Sequence, residues 1–112
     1  MIFRPSNADM KSALMVHRDL LITPASRQAF AKDKPVSLTK LEFDVLRYLM
    51  ANHGNFLTHS QILSEVWGDD YQENGNDVLW RTMSRLRVKL SEVSPDCEYI
   101  KVERDVGYKF LI

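Results

Sequence analysis

The apolar residues of this chain change period twice, and that change limits its possible folds more than any other feature of the sequence. From Ala13 to Leu38 the side chains Leu14, Val16, Leu20, Ile22, Phe30, Val36 and Leu38 fall largely on alternating positions, as in half-buried strands. Turn signals at Arg18-Asp19, Pro24-Ala25 and Asp33-Lys34-Pro35 divide this stretch into three or four short antiparallel strands. Helical spacing then takes over as far as Leu90, and alternation returns at Ile100. The order of strands, three helices and hairpin predicts an α+β domain over residues 13–112. An irregular lead-in over 1–12, with Pro5, Ser6, Asn7 and Asp9, is expected before it.

Two helix starts are written out in full. Thr39-x-x-Glu42 and Thr58-x-x-Gln61 are capping boxes. In each, the threonine oxygen accepts from the amide three residues on, and the Glu or Gln side chain accepts from the threonine amide. After the first box Leu41, Val45, Leu46, Leu49 and Met50 repeat at helical spacing, with Gly54 as a C-terminal stop. After the second, Ile62, Leu63 and Val66 form a short apolar stripe that ends near Trp67-Gly68. Gly68–Asn76 reads as an acidic loop, and a third helix is expected over 77–91. Beyond Ser94-Pro95-Asp96, Ile100 and Val102 lead to a turn at Arg104-Asp105-Val106-Gly107. Tyr108, Phe110 and Ile112 then close a C-terminal β-hairpin.

Composition removes several function classes. With 112 residues, 45% hydrophobic and 27% charged, the chain suits one globular domain. No apolar run approaches the ~20 residues that span a bilayer. The first residues lack the apolar core and cleavage site of a signal peptide, so a cytoplasmic location is expected. One cysteine, Cys97, allows neither an internal disulfide nor a cysteine-built zinc site. His17, His53 and His59 stand in separate elements without metal-ligand spacing. There is no Gly-rich phosphate loop, no G-x-S-x-G and no H-E-x-x-H. Neither an enzyme nor a metal or other cofactor is expected.

Charge is informative through its distribution. Fifteen basic and fifteen acidic residues cancel, which argues against a generic polyanion binder. Residues 65–77 carry Glu65, Asp69, Asp70, Glu73 and Asp77 with no base. From 78 to 91 the sign reverses, with Arg81, Arg85, Arg87 and Lys89 and no acid. A neutral chain with one sharply basic face can bind nucleic acid there.

A helical wheel at about 100° per residue gives that face its shape. Leu79, Met83, Leu86 and Leu90 form one narrow stripe, the core face. Opposite lie Asp77, Val78, Arg81, Ser84, Arg85 and Val88, with Arg87 and Trp80 on one shoulder and Thr82 and Lys89 towards the other. Two arginines one turn apart fit a major groove, where Arg bonds guanine O6 and N7 together. The bland alternative is a solvated basic face, but the helix lacks the interleaved acids of i,i+4 pairing. At the hairpin tip, Arg104 can enter a minor groove, whose negative potential is strongest in A·T tracts.

Four motifs occur in register: Leu38-Thr39-x-x-Glu42-Phe43, then Leu57-Thr58-x-x-Gln61-Ile62-Leu63-x-x-Val66-Trp67-Gly68, then Ser84-Arg85-Leu86-Arg87-x-Lys89-Leu90, then Val106-Gly107-Tyr108-Lys109-Phe110. Over about residues 14–112 the chain resembles the OmpR/PhoB-type winged-helix effector domain of bacterial response regulators, a domain that ToxR-like activators share. The resemblance implies an N-terminal antiparallel sheet on three helices, a third helix in the major groove and the hairpin as the wing. It implies double-stranded DNA as partner, read as tandem half-sites by self-associating copies. Arg81, Ser84 and Arg85 would face bases or nearby phosphates, Thr82 and Arg87 would hold the backbone, and Trp67 would pack against a phosphate. Arg104, in the wing over 103–108, would reach the minor groove, and Val78, Lys89 and Tyr108 complete the implied DNA-binding set. Loop 68–76 resembles the segment that such proteins use on RNA polymerase. The chain departs from the family pattern at Trp80, where an acid is usual, and at Thr82, where histidine is. His59, Val102 and Asp105 depart likewise, replacing a basic residue, a Thr and a Gly. Trp80 is expected to be a packing residue. A winged helix used for protein interaction is the alternative from another class.

Overall fold

The computed structural model describes residues 15–17, 19–68 and 75–111. The expected lead-in over 1–12 lies outside them. The alternating segment forms β1 (Met15–His17), β2 (Leu20–Thr23), β3 (Gln28–Ala31) and β4 (Lys34–Val36), an antiparallel sheet in that order. Its register sets Leu20 opposite Ala31, Ile22 opposite Ala29 and Ala29 opposite Val36. These residues are all buried, so a slip of one position would turn the core face to water.

Helix α1 (Lys40–Ala51) starts as its sequence dictates. The Glu42 amide donates to Thr39 Oγ1 at 3.2 Å, and the Thr39 amide donates to Glu42 Oε1 at 2.9 Å. Phe43, Val45, Leu46, Leu49 and Met50 go to the core. The helix ends at Asn52, ahead of the expected stop, because the Asn52 side chain donates to Tyr48 O at 3.0 Å and closes the last turn. Gly54 instead ties the end of the helix to the last strand of the chain. Its amide donates to Phe110 O at 2.9 Å from a left-handed φ of 82°. Helix α2 (His59–Trp67) has its own complete capping box, buries Ile62 and Leu63, and stops at Gly68 with φ 69°.

Helix α3 (Gly75–Val93) runs two residues beyond the expected 77–91 at each end. The apolar stripe marks only the packed part of a helix, so Gly75, Asn76 and Glu92 gave no periodic signal. Leu79, Met83, Leu86 and Leu90 are at most 2% exposed, as the wheel requires. The helix packs on α1, α2 and β4. Of the expected acidic loop, residues 69–74 lie outside the described residues, and Gly75 and Asn76 are already helical.

One strand was not legible. β5 (Phe56–Leu57) lies between α1 and α2 and pairs with β7 (Gly107–Phe110), which pairs with β6 (Ile100–Glu103). The order β5-β7-β6 makes a three-stranded sheet of what the sequence presents as a hairpin. Two residues cannot show alternation, and their partner lies at the far end of the chain. Both sheets and all three helices share one core.

Candidate nucleic-acid interface

Burial of the leucine and methionine stripe leaves the opposite face of α3 in water. Arg81 and Arg85 are exposed there, Val78 and Ser84 are half-buried, Val88 is 56% exposed, and Arg87 is exposed on one shoulder. The Arg81 Nε–H donates to Asp77 O at a long 3.4 Å, so a helix carbonyl steadies its guanidinium without neutralising it. No acid lies between 78 and 91, and the one carboxylate on this face of the helix is Asp77, in its first turn and one turn before Arg81. Trp67, at the end of α2, is half-buried against the core with part of its indole accessible.

The hairpin presents the second cation. The Val106 amide donates to Glu103 O at 3.0 Å, which closes a turn with exposed Arg104 and Asp105 at its centre. Asp105 sits at φ 65°, in the left-handed region that Gly and Asn favour at this turn position. Gly107 follows at φ 147°, and a Cβ there would lie 2.0 Å from the Leu57 carbonyl oxygen. Only glycine lets β7 come this close to β5. The wing is therefore seated on the connection between α1 and α2.

Four expectations need correction. Tyr108 is 2% exposed, with its ring stacked on His59 at 5.3 Å, so it supports the wing from inside. Burial pushes its phenol above the ordinary 10.0, against an opposing pull from the nearby Arg87 guanidinium. Thr82 is 8% exposed, and its hydroxyl donates to Val78 O at 2.8 Å, bonding its own helix and leaving none of its donor for a phosphate. Lys89 is turned inward: its ammonium donates to Glu42 Oε1 at 2.5 Å, beneath the start of α1. A carboxylate only 2% exposed holds it there, a pull the wheel could not show because the partner lies 47 residues away. Trp80, expected to pack, is 62% exposed. The stripe beside it is already filled, so its indole has no place in the core.

Arg27 carries no signal in the sequence for the contacts it makes. Its guanidinium donates to Asp44 Oδ1 at 2.7 Å and lies 5.8 Å from the Phe43 ring centre, which ties the β2–β3 turn to α1. Among the described residues, no group of three or more His, Cys, Asp or Glu is placed to hold a metal ion. No described helix is long and apolar enough to cross a membrane.

Comparison with known proteins gives this surface a context. The profile of the family described as "Transcriptional regulatory protein, C terminal" matches residues 33–110. The response regulator MprA of Mycolicibacterium vanbaalenii is 39% identical over 104 residues, which cover 93% of this chain and 44% of that protein. The chain thus spans less than half the length of that relative. The crystal structure of the Klebsiella pneumoniae RstA DNA-binding domain in complex with the RstA box superposes with a TM-score of 0.72 at 29% identity, over 88% of this chain and 96% of that one. DrrB, a Thermotoga maritima response regulator described as an OmpR/PhoB homolog, superposes with a TM-score of 0.75 at 29% identity, over 89% and 45% of the two chains.

Proposed function

Because the chain belongs to the family of transcriptional regulatory protein C-terminal domains of OmpR/PhoB type, we propose that it is the DNA-binding effector domain of a two-component response regulator. The observation that carries this reading is the solvent side of α3, where Arg81 and Arg85 stand exposed on the outer face and Arg87 on its shoulder, with no acid in 78–91. In the proposed complex the first three turns of α3 lie in the major groove, where Arg81, Ser84 and Arg85 meet base edges and nearby phosphates. Arg87 and the accessible part of Trp67 meet phosphates, and Arg104 enters the neighbouring minor groove. The RstA domain, which is similar to this chain, is bound to its own DNA box, and this supports duplex DNA as the ligand class.

Neutrality shapes the mode of binding. At zero formal charge the molecule as a whole has no attraction for DNA, so affinity rests on the α3 and wing faces alone. One domain on one half-site then binds weakly, on the order of micromolar at physiological salt. Useful affinity needs two copies on half-sites about one helical turn apart. The acidic segment 68–76 is the proposed RNA polymerase contact, supported by its resemblance to the segment that such domains use there.

Mobility-shift titrations of a single half-site and a tandem pair, at several salt concentrations, test the reading. Both should weaken steeply with salt through counterion release, and the pair should bind far more tightly. Nanomolar binding by one domain on one half-site would remove the tandem mode. Salt-insensitive association with a protein and no duplex shift would favour an interaction module.

A further inference from the structure

The two shoulders of α3 face different neighbours. Lys89 marks one, which looks onto α1 through Glu42. Arg87 marks the other, since its charge acts on Tyr108 of β7 and it borders the segment Pro95–Ile100 that leads into the wing. Trp80 stands on this second shoulder, two turns or about 10 Å before Arg87 along the helix axis. Its indole is 62% exposed. With α3 in a major groove and Arg104 in the adjacent minor groove, the sugar–phosphate strand that divides the two grooves must pass between helix and wing. That path runs over the shoulder of Trp80 and Arg87.

The chemistry of the indole suits that strand. It has a flat apolar body and one N–H donor at its edge, while a DNA backbone alternates deoxyribose carbons with phosphate acceptors. Arg81, Arg85 and Arg87 on the same helix favour a polyanion over an apolar protein partner. We propose that Trp80 is a DNA-positioning residue that packs its indole on a deoxyribose of this dividing strand and donates its Nε1–H to a neighbouring phosphate. Its contribution is sequence-independent, unlike that of Arg81 and Arg85. The proposal rests on the DNA-binding reading above.

The test uses a duplex selected by the wild-type protein from a random pool and a scrambled duplex of the same composition. Affinities of wild type, Trp80→Ala and Trp80→Phe are measured by anisotropy of labelled DNA, and tryptophan emission is recorded in parallel. Trp80→Ala should weaken binding to both duplexes alike, by about fivefold, as for loss of one hydrogen bond and its packing. Trp80→Phe, which keeps a ring and loses the donor, should fall between. DNA should quench wild-type emission more than that of Trp80→Phe, in which Trp67 alone reports. Unchanged affinities together with equal quenching would overturn the assignment. So would a loss confined to the selected duplex, which would set the indole on base edges. If selection with wild type enriched no duplex, the DNA-binding reading would fall and this proposal with it.

Discussion

The Lys89 ammonium and the Thr39 amide donate to the same oxygen, Glu42 Oε1, at 2.5 and 2.9 Å. One buried carboxylate thus closes the start of α1 and anchors the C-terminal part of α3 to it. The buried stripe Leu79, Met83, Leu86 and Leu90 sets which side of α3 faces water, and this pair adds a polar tie between the two helices.

Lys89→Ala leaves the Glu42 carboxylate buried without its counter-charge. The expected loss is about 2 kcal/mol of folding stability, below the figure for a fully buried pair because the lysine side chain is one-third exposed. Glu42→Gln keeps an acceptor for the Thr39 amide and should cost less. Urea denaturation of both single variants and the double variant should show non-additive losses. Strict additivity would mean that the two side chains do not interact in solution.

Tyr108 gives stability an alkaline limit. Burial raises its phenol above the 10.0 of an exposed tyrosine, and burial likewise raises that of Tyr99. The unfolded chain therefore loses these protons first as pH rises. The stabilisation is complete below pH 10.0 and is lost as pH climbs through the higher folded values. Denaturation midpoints measured from pH 8 to about pH 11 should fall at the alkaline end, and Tyr108→Phe should flatten that fall.

Arg85→Ala removes a guanidinium from the centre of the outer face without touching the core. Binding to the selected site should weaken by ~1–3 kcal/mol, and preference should relax at one base pair. Selection of bound sequences by the variant reads both effects. An unchanged binding motif in a folded variant would contradict the placement of α3 in the major groove.

Arg104→Ala should cost most on sites flanked by A·T tracts, where the narrow minor groove concentrates negative potential. Asp105→Gly should do the reverse. It removes a carboxylate beside Arg104 and puts glycine at a φ of 65°, so affinity should rise without loss of thermal stability. Equal effects of Arg104→Ala on A·T and G·C flanks would exclude minor-groove entry.

Local rules were sufficient wherever a signal and its partner lay close together in the sequence. Both capping boxes form as Thr39-x-x-Glu42 and Thr58-x-x-Gln61 predict, and the helical wheel identifies the buried stripe of α3 residue by residue. What stayed hidden depends on distant partners. The wheel assigned Lys89 to a shoulder, but Glu42, on another helix, draws it inward. Tyr108 sits in an alternating run whose burial depends on β5, a strand too short to show a pattern. Residue type alone points Trp80 to the core, since tryptophan is mostly buried, but its exposure follows from a stripe already full.

The contact between Gly107 and Leu57 sets a length. Because β7 rests on β5, and β5 runs directly into the cap of α2, the wing is tied to the helical block like a caliper with its jaws at Arg104 and at the outer face of α3. In the proposed complex, those jaws span one major groove and the minor groove beside it. Overwound or unwound DNA changes that span, so supercoiling would tune occupancy at every site without altering a single base.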